Sequence, residues 1–201
     1  MPKARSRRDA NLRRHIAYVA ARMMAEDGVA DYGAAKMKAA RQEGLADANL
    51  LPDNQEIEEA LREYQGLYQK EEQPAQLRRL REVAVRVMRE LEAFRPVLVG
   101  SVLSGTAGQH SDVNLQLFTD DAKAFSMYLV NKRWRFEEGS KRVRRGERME
   151  DVPQLRIDVD EVTVTVTVLD PDDERSAPRG RGESQPALRA RLAEVEALLA
   201  R

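Results

Sequence analysis

Val97-Leu98-Val99-Gly100-Ser101, followed ten residues on by Ser111-Asp112-Val113-Asn114-Leu115, decides how this chain is read. The apolar run 97–99 predicts a strand that ends at Gly100, where a residue without Cβ tolerates unusual φ and lets a ligand approach closely. Ser101 adds a hydroxyl and a backbone N–H at the start of a short helical turn, groups suited to phosphate oxygens. The second segment alternates. Val113, Leu115 and Leu117 fall on one face, and Asp112, Asn114 and Gln116 on the other, so two potential oxygen ligands share a surface.

A strand, a Gly-Ser turn and a later Ser-Asp-apolar-Asn-apolar strand resemble the signature of the nucleotidyltransferase superfamily that includes DNA polymerase β. The resemblance covers about Arg95 to Asp170. It implies an α+β fold, with a small mixed sheet flanked by helices. It also implies a nucleoside triphosphate held by Gly100, Ser101 and Ser111, and Mg²⁺ or Mn²⁺ held by Asp112, Asn114 and a third group. In that family the cations bridge the triphosphate and activate a hydroxyl, so that a nucleoside monophosphate is transferred and pyrophosphate leaves. The acceptor would be a protein, an RNA or a small molecule.

Two departures weaken the metal centre. Asn114 stands where the family has a second carboxylate, and an amide oxygen carries no charge to offset a dication. The third acid is expected on the second strand of a hairpin over Gln154–Leu169, where apolar and polar residues alternate around a turn at Asp160-Glu161. A two-residue turn pairs Val159 with Val162, Asp158 with Thr163, Ile157 with Val164 and Arg156 with Thr165. By the family match the acid falls at Thr165, which cannot supply it. Asp158, one pair nearer the turn on the same face, is the candidate replacement as catalytic and metal-binding acid. The same departures favour an alternative, a nucleotidyltransferase-fold binding or interaction module without turnover.

Composition sets the bounds. The 201 residues suffice for one good core or a core with a helical extension. Lys plus Arg and Asp plus Glu both number 34, so net charge gives no push toward nucleic acid or membrane. Cysteine is absent, excluding disulfides, thiolate metal sites and cysteine catalysis. His15 and His110 alone leave little room for a zinc site, though His110 adjoins the acidic strand and is a possible ligand contact. Gly105-Thr106-Ala107-Gly108 lacks the Gly-Lys-Ser/Thr ending of a Walker loop. No stretch has the length of a membrane span or a signal core, so a soluble cytoplasmic protein is expected.

Residues 1–94 read as a helical region whose basic first fifteen residues are expected to be mobile at the tip. Ile16, Val19, Ala20, Met23 and Met24 mark an amphipathic helix that stops at Gly28. A short helix follows from Asp31 to Gln42. Asp53-Asn54-Gln55-Glu56 forms a capping box for a third helix, and Pro74 opens a fourth. This region is expected to pack on the sheet rather than stand alone. Within the 95–170 core, Thr119 is the expected cap of a helix to Asn131, Trp134-Arg135-Phe136 a strand, and Lys141–Arg148 a basic loop or hairpin able to clamp phosphate. Residues 171–184 read as a flexible linker, and 185–201 as a helix carrying Leu188, Leu192, Val195 and Leu199 with Pro186 near its start. A third reading, a DNA-binding regulator, rests on Ala20–Gly28 and lacks the expected turn chemistry in Leu45–Leu51.

Overall fold

A computed structural model describes residues 2–44, 50–145, 147–176 and 188–200, with side chains from residue 9 onward. Residues 45–49, the expected linker from 177 to 184, and Pro186 lie outside it. The contacts divide the chain into two units, one formed by residues up to 74 with 108–110, the other by 75–107, 111–176 and 188–200.

The first unit holds α1 (Pro2–Glu26), α2 (Tyr32–Gln42) and α3 (Asn54–Tyr68). The basic residues expected as a mobile tip belong to α1, since Ala, Arg and Leu propagate a helix that is nucleated further along by packing. Asp31 caps α2 through Ala34 N–H at 2.7 Å. The capping box forms as its residues predict: Glu56 N–H donates to Asp53 at 2.9 Å, and Asp53 N–H to Glu56 at 2.8 Å. Ile16, Ala17, Val19, Ala20, Met23, Ala35, Ala39 and Ile57 make a cluster of their own. Alanine at four of the eight positions lets helix backbones approach closely, so a small apolar area still excludes water.

The second unit is an α+β layer pair. Its helices are α4 (Glu72–Glu90), the single-turn α5 (Ser101–Ser104), α6 (Ala122–Asn131), α7 (Asp173–Ser176) and α8 (Leu192–Leu199). Strands β1 (Val97–Val99), β2 (Val113–Phe118), β3 (Phe136–Arg145), β4 (Arg148–Val159) and β5 (Val162–Leu169) form one mixed sheet in the order β1-β2-β5-β4-β3. Only β2 and β5 are parallel. The hairpin register is the one the alternation predicts, from Val159 with Val162 to Arg156 with Thr165. Asp160 and Glu161 take φ of 49° and 64°, the paired left-handed conformations of a tight primed turn.

One sheet face is apolar. Leu98, Val113, Leu115, Leu117, Val164, Val166, Leu155 and Ile157 join Leu80, Val83, Val87, Met88, Phe125, Leu129 and Val195 of the helices in one core. Burial of this face stabilises the unit by roughly 25 cal/mol per Å² of apolar surface removed from water.

Four local expectations are corrected. Asp121, not Thr119, caps α6, accepting from Ala124 N–H at 2.8 Å, while Thr119 Oγ1 accepts from Asp121 N–H at 3.1 Å. Of Trp134-Arg135-Phe136 only Phe136 enters a strand, because Arg133 turns the chain with φ 58°. The first residues of the expected linker are structured, with Asp173 buried in α7. The last helix starts at Leu192; Leu188 is exposed, and Ala190 pairs with Leu98 beside β1 by main-chain bonds of 2.8 and 3.0 Å. No helix of the described residues is long and apolar enough to cross a membrane.

Candidate functional site

The second face of the sheet carries the sequence-predicted residues in rows. Val99, Asn114, Thr165, Arg156 and Glu137 are successive cross-strand partners across all five strands. One step toward the β4–β5 turn, Thr163 pairs with Asp158, and its hydroxyl donates to Asp158 Oδ1 at 3.0 Å. Asp112 precedes Val113, the partner of Val164, so it stands at the level of Thr163 just before the ladder begins. The Asn114 amide donates to the Asp112 carbonyl at 3.3 Å, tying the two residues together.

The Gly100 turn is brought against this row. A Cβ at Gly100 would stand 3.5 Å from Asn114 Nδ2. Its φ of 77° with ψ of −158° lies in a region reserved for glycine. Gly100→Ala is accordingly expected to cost about 1–3 kcal/mol in urea unfolding; a variant as stable as the parent would contradict this turn geometry. Ser101 follows as the first residue of α5, and its carbonyl accepts from Gly105, Thr106 and Ala107 N–H at 2.9–3.1 Å. A helix of one turn has little dipole, so phosphate binding here would rest on individual donors. Ser111 joins the site as the half-buried residue before Asp112.

Electrostatics single out Asp112. Partial burial pushes its carboxyl above the ordinary range; the Arg156 guanidinium opposes that shift and the Asp158 carboxylate adds to it. Arg156 is the cation beside Asp112 on this face, and the sequence reading gave it no role. Its signal was the hairpin register, which set it opposite Thr165. Two carboxylates and one guanidinium leave a single net negative charge at Asp112, Asp158 and Arg156. Among the described residues no three His, Asp or Glu side chains come together as a metal-binding group.

Other expected contacts fall elsewhere. His110 packs its ring on Gly28, 3.0 Å from where a Cβ would stand, and Gly28 has φ 70°. The expected basic loop is the β3–β4 hairpin. Arg145 within it is engaged by Glu150, Asp170 and Asp173, and Arg142 lies 4.0 Å from Asp151, so part of its charge is already compensated. Further along the polar face Gln154 donates to Thr167 Oγ1 at 3.2 Å. Arg189 donates to Gln116 Oε1 at 3.1 Å while its guanidinium lies 4.8 Å from the centre of the Phe118 ring.

Comparison with protein-family models, curated proteins and solved structures finds no match to this chain.

Proposed function

We propose that the polar end of the sheet is a nucleoside triphosphate site of the nucleotidyltransferase type, from which a nucleoside monophosphate is transferred to a hydroxyl acceptor. One observation carries the reading: the Gly100 turn, Asn114 and Thr165 are immediate neighbours on the ladder, with Asp112 and Asp158 one step away. The resemblance asks for its phosphate turn at Gly100 and its acids at Asp112, Asn114 and Thr165, with Asp158 the replacement for the last. Two carboxylates with the Asn114 carbonyl oxygen fit one hard dication such as Mg²⁺ better than two. Asp112, Asn114 and Asp158 would hold that cation, and it would supply charge neutralisation to the phosphates. Arg156 adds a fixed cation on the same face and serves the same end. A second reading, nucleotide binding without turnover, is favoured by Asn114 and Thr165 themselves, which remove charge that a two-cation mechanism uses.

Equilibrium dialysis of the four labelled ribonucleoside triphosphates with Mg²⁺ or Mn²⁺ tests binding, and label retained on an acceptor or on the protein tests transfer. Saturable binding without transfer selects the second reading; absence of any binding sinks both.

Asp112→Asn separates the site from the fold. Because the folded-state pKa of Asp112 is raised, its ionised form is disfavoured, and stability is lost as pH rises through that pKa. At neutral pH the neutral amide is therefore expected to stabilise the protein by a small amount, below about 1 kcal/mol because the group is partly open to solvent. Nucleotide affinity is expected to fall at least about tenfold in the same variant. A destabilised Asp112→Asn protein that still binds nucleotide normally would remove Asp112 from the site.

A further inference from the structure

β3 is the free edge of the sheet, and Glu137–Arg142 are all exposed along it. Among the described residues no strand lies on its outer side. Arg145 and Arg148 are the closing pair of the β3–β4 hairpin, two residues apart in the connection, so they form a hydrogen-bonded pair and the pair type alternates from there. The main-chain N–H and C=O groups of Phe136, Glu138, Ser140 and Arg142 consequently face away from β4. An exposed edge with its donors and acceptors in register is a template for another strand.

Charge on this edge is divided. Glu137 and Glu138 occupy one end, Lys141 and Arg142 the other, with Gly139 and Ser140 between. A run of one sign would repel a second copy. A divided run attracts one, provided the strands are antiparallel. From these observations we infer that β3 pairs with β3 of a second copy of this chain, antiparallel about a two-fold axis at Ser140, joining two sheets into one. Two residues that face each other across such a pair must share a sheet face, which requires the axis to pass through a residue position. With the axis at Ser140, Glu138 of each copy stands opposite Arg142 of the other, both on outward-facing positions. A slip to Gly139 sets Glu137 against Lys141 and keeps the complementarity. A slip to Lys141 sets two ammonium groups face to face and is disfavoured. Arg142 is shared with Asp151 of β4 at 4.0 Å, a long and exposed pair that a closer Glu138 can displace. The proposal is independent of the nucleotide reading, since no residue of the polar site takes part.

Sedimentation velocity on the full chain from about 1 µM to about 500 µM is expected to show a reversible monomer–dimer equilibrium. Glu138→Arg and Arg142→Glu are each expected to weaken association at least about tenfold, because each sets like charges together. An equimolar mixture of the two is expected to recover dimer, since every facing pair is then again opposite in sign. Ser140→Pro removes the outward N–H and leaves the ladder to β4 intact, so it is expected to give a folded monomer by circular dichroism. A wild-type monomer throughout that range overturns the inference. So does a dimer that survives either single exchange and the proline, or a mixture of folded variants that stays monomeric.

Discussion

Arg145→Ala is expected to cost about 3–5 kcal/mol in chemical unfolding, because it leaves a buried carboxylate without its cation. Nε of Arg145 donates to both oxygens of Asp173 at 3.1 and 3.2 Å, Nη1 to Glu150 at 2.5 Å, and Nη2 approaches Asp170 at 2.7 Å as well as Asp173. The Asp173 side chain is only 6 % exposed, and its remaining bond is from Asp170 N–H at 3.2 Å. Water cannot readily replace the guanidinium there. The fork is needed as well as the charge, so Arg145→Lys is expected to recover only part of the loss. Asp173→Ala should cost less than Arg145→Ala, since Arg145 keeps Glu150 and Asp170 and stays partly exposed. Urea titrations of the three variants at neutral pH give the order directly. If Arg145→Ala falls below about 1 kcal/mol, the cluster is no more than a surface ion pair.

Restoring carboxylates at both neutral positions, by Asn114→Asp with Thr165→Asp in one chain, is expected to raise Mn²⁺ affinity by about tenfold or more. The two positions are cross-strand partners, and Asp112 is bonded to the first of them through its carbonyl. Three carboxylates in so small an area repel one another, so the metal-free variant should unfold at a lower temperature than the parent. Mn²⁺ should then raise its melting temperature in proportion to the logarithm of concentration. Arg156 faces Thr165 and would pair with the new carboxylate there, competing with the metal. Adding Arg156→Gln is therefore expected to strengthen binding again. Calorimetric titration of Mn²⁺ checks each step. Unchanged Mn²⁺ affinity in the double variant would mean that residue 165 does not border a cation site, and the nucleotidyltransferase reading would lose its third position.

These two sets of residues also mark how far local sequence reaches. The alternation from Leu155 to Val168 with an Asp-Glu turn admits one register that keeps Val, Leu and Ile on a common face, so the pairing of Arg156 with Thr165 could be read without coordinates. The Asp53–Glu56 capping box is equally local, a three-residue spacing that satisfies two helix-end donors. By contrast, Arg145 and Asp173 are separated by 28 residues and Arg189 and Gln116 by 73. Nothing in the composition of 171–176 distinguishes a linker from a turn held by one buried carboxylate. Likewise Leu188 has the spacing of a helix face, yet Ala190 pairs by its main chain with Leu98 and Arg191 is extended, so the helix begins only at Leu192.

Sequence alone thus determined the features whose energy is settled among neighbours along the chain: strand alternation, hairpin register, the Asp53–Glu56 capping box, and the Gly100–Ser101 and Asp112–Asn114 stretches themselves. The tertiary structure decided which distant groups meet. It set Asn114 beside Thr165 and Gly100, gave Arg145 its acids, and left β3 as the exposed edge. Such pairings follow from how the strands are ordered and the helices packed, and burial makes them strong; no spacing in the chain encodes either.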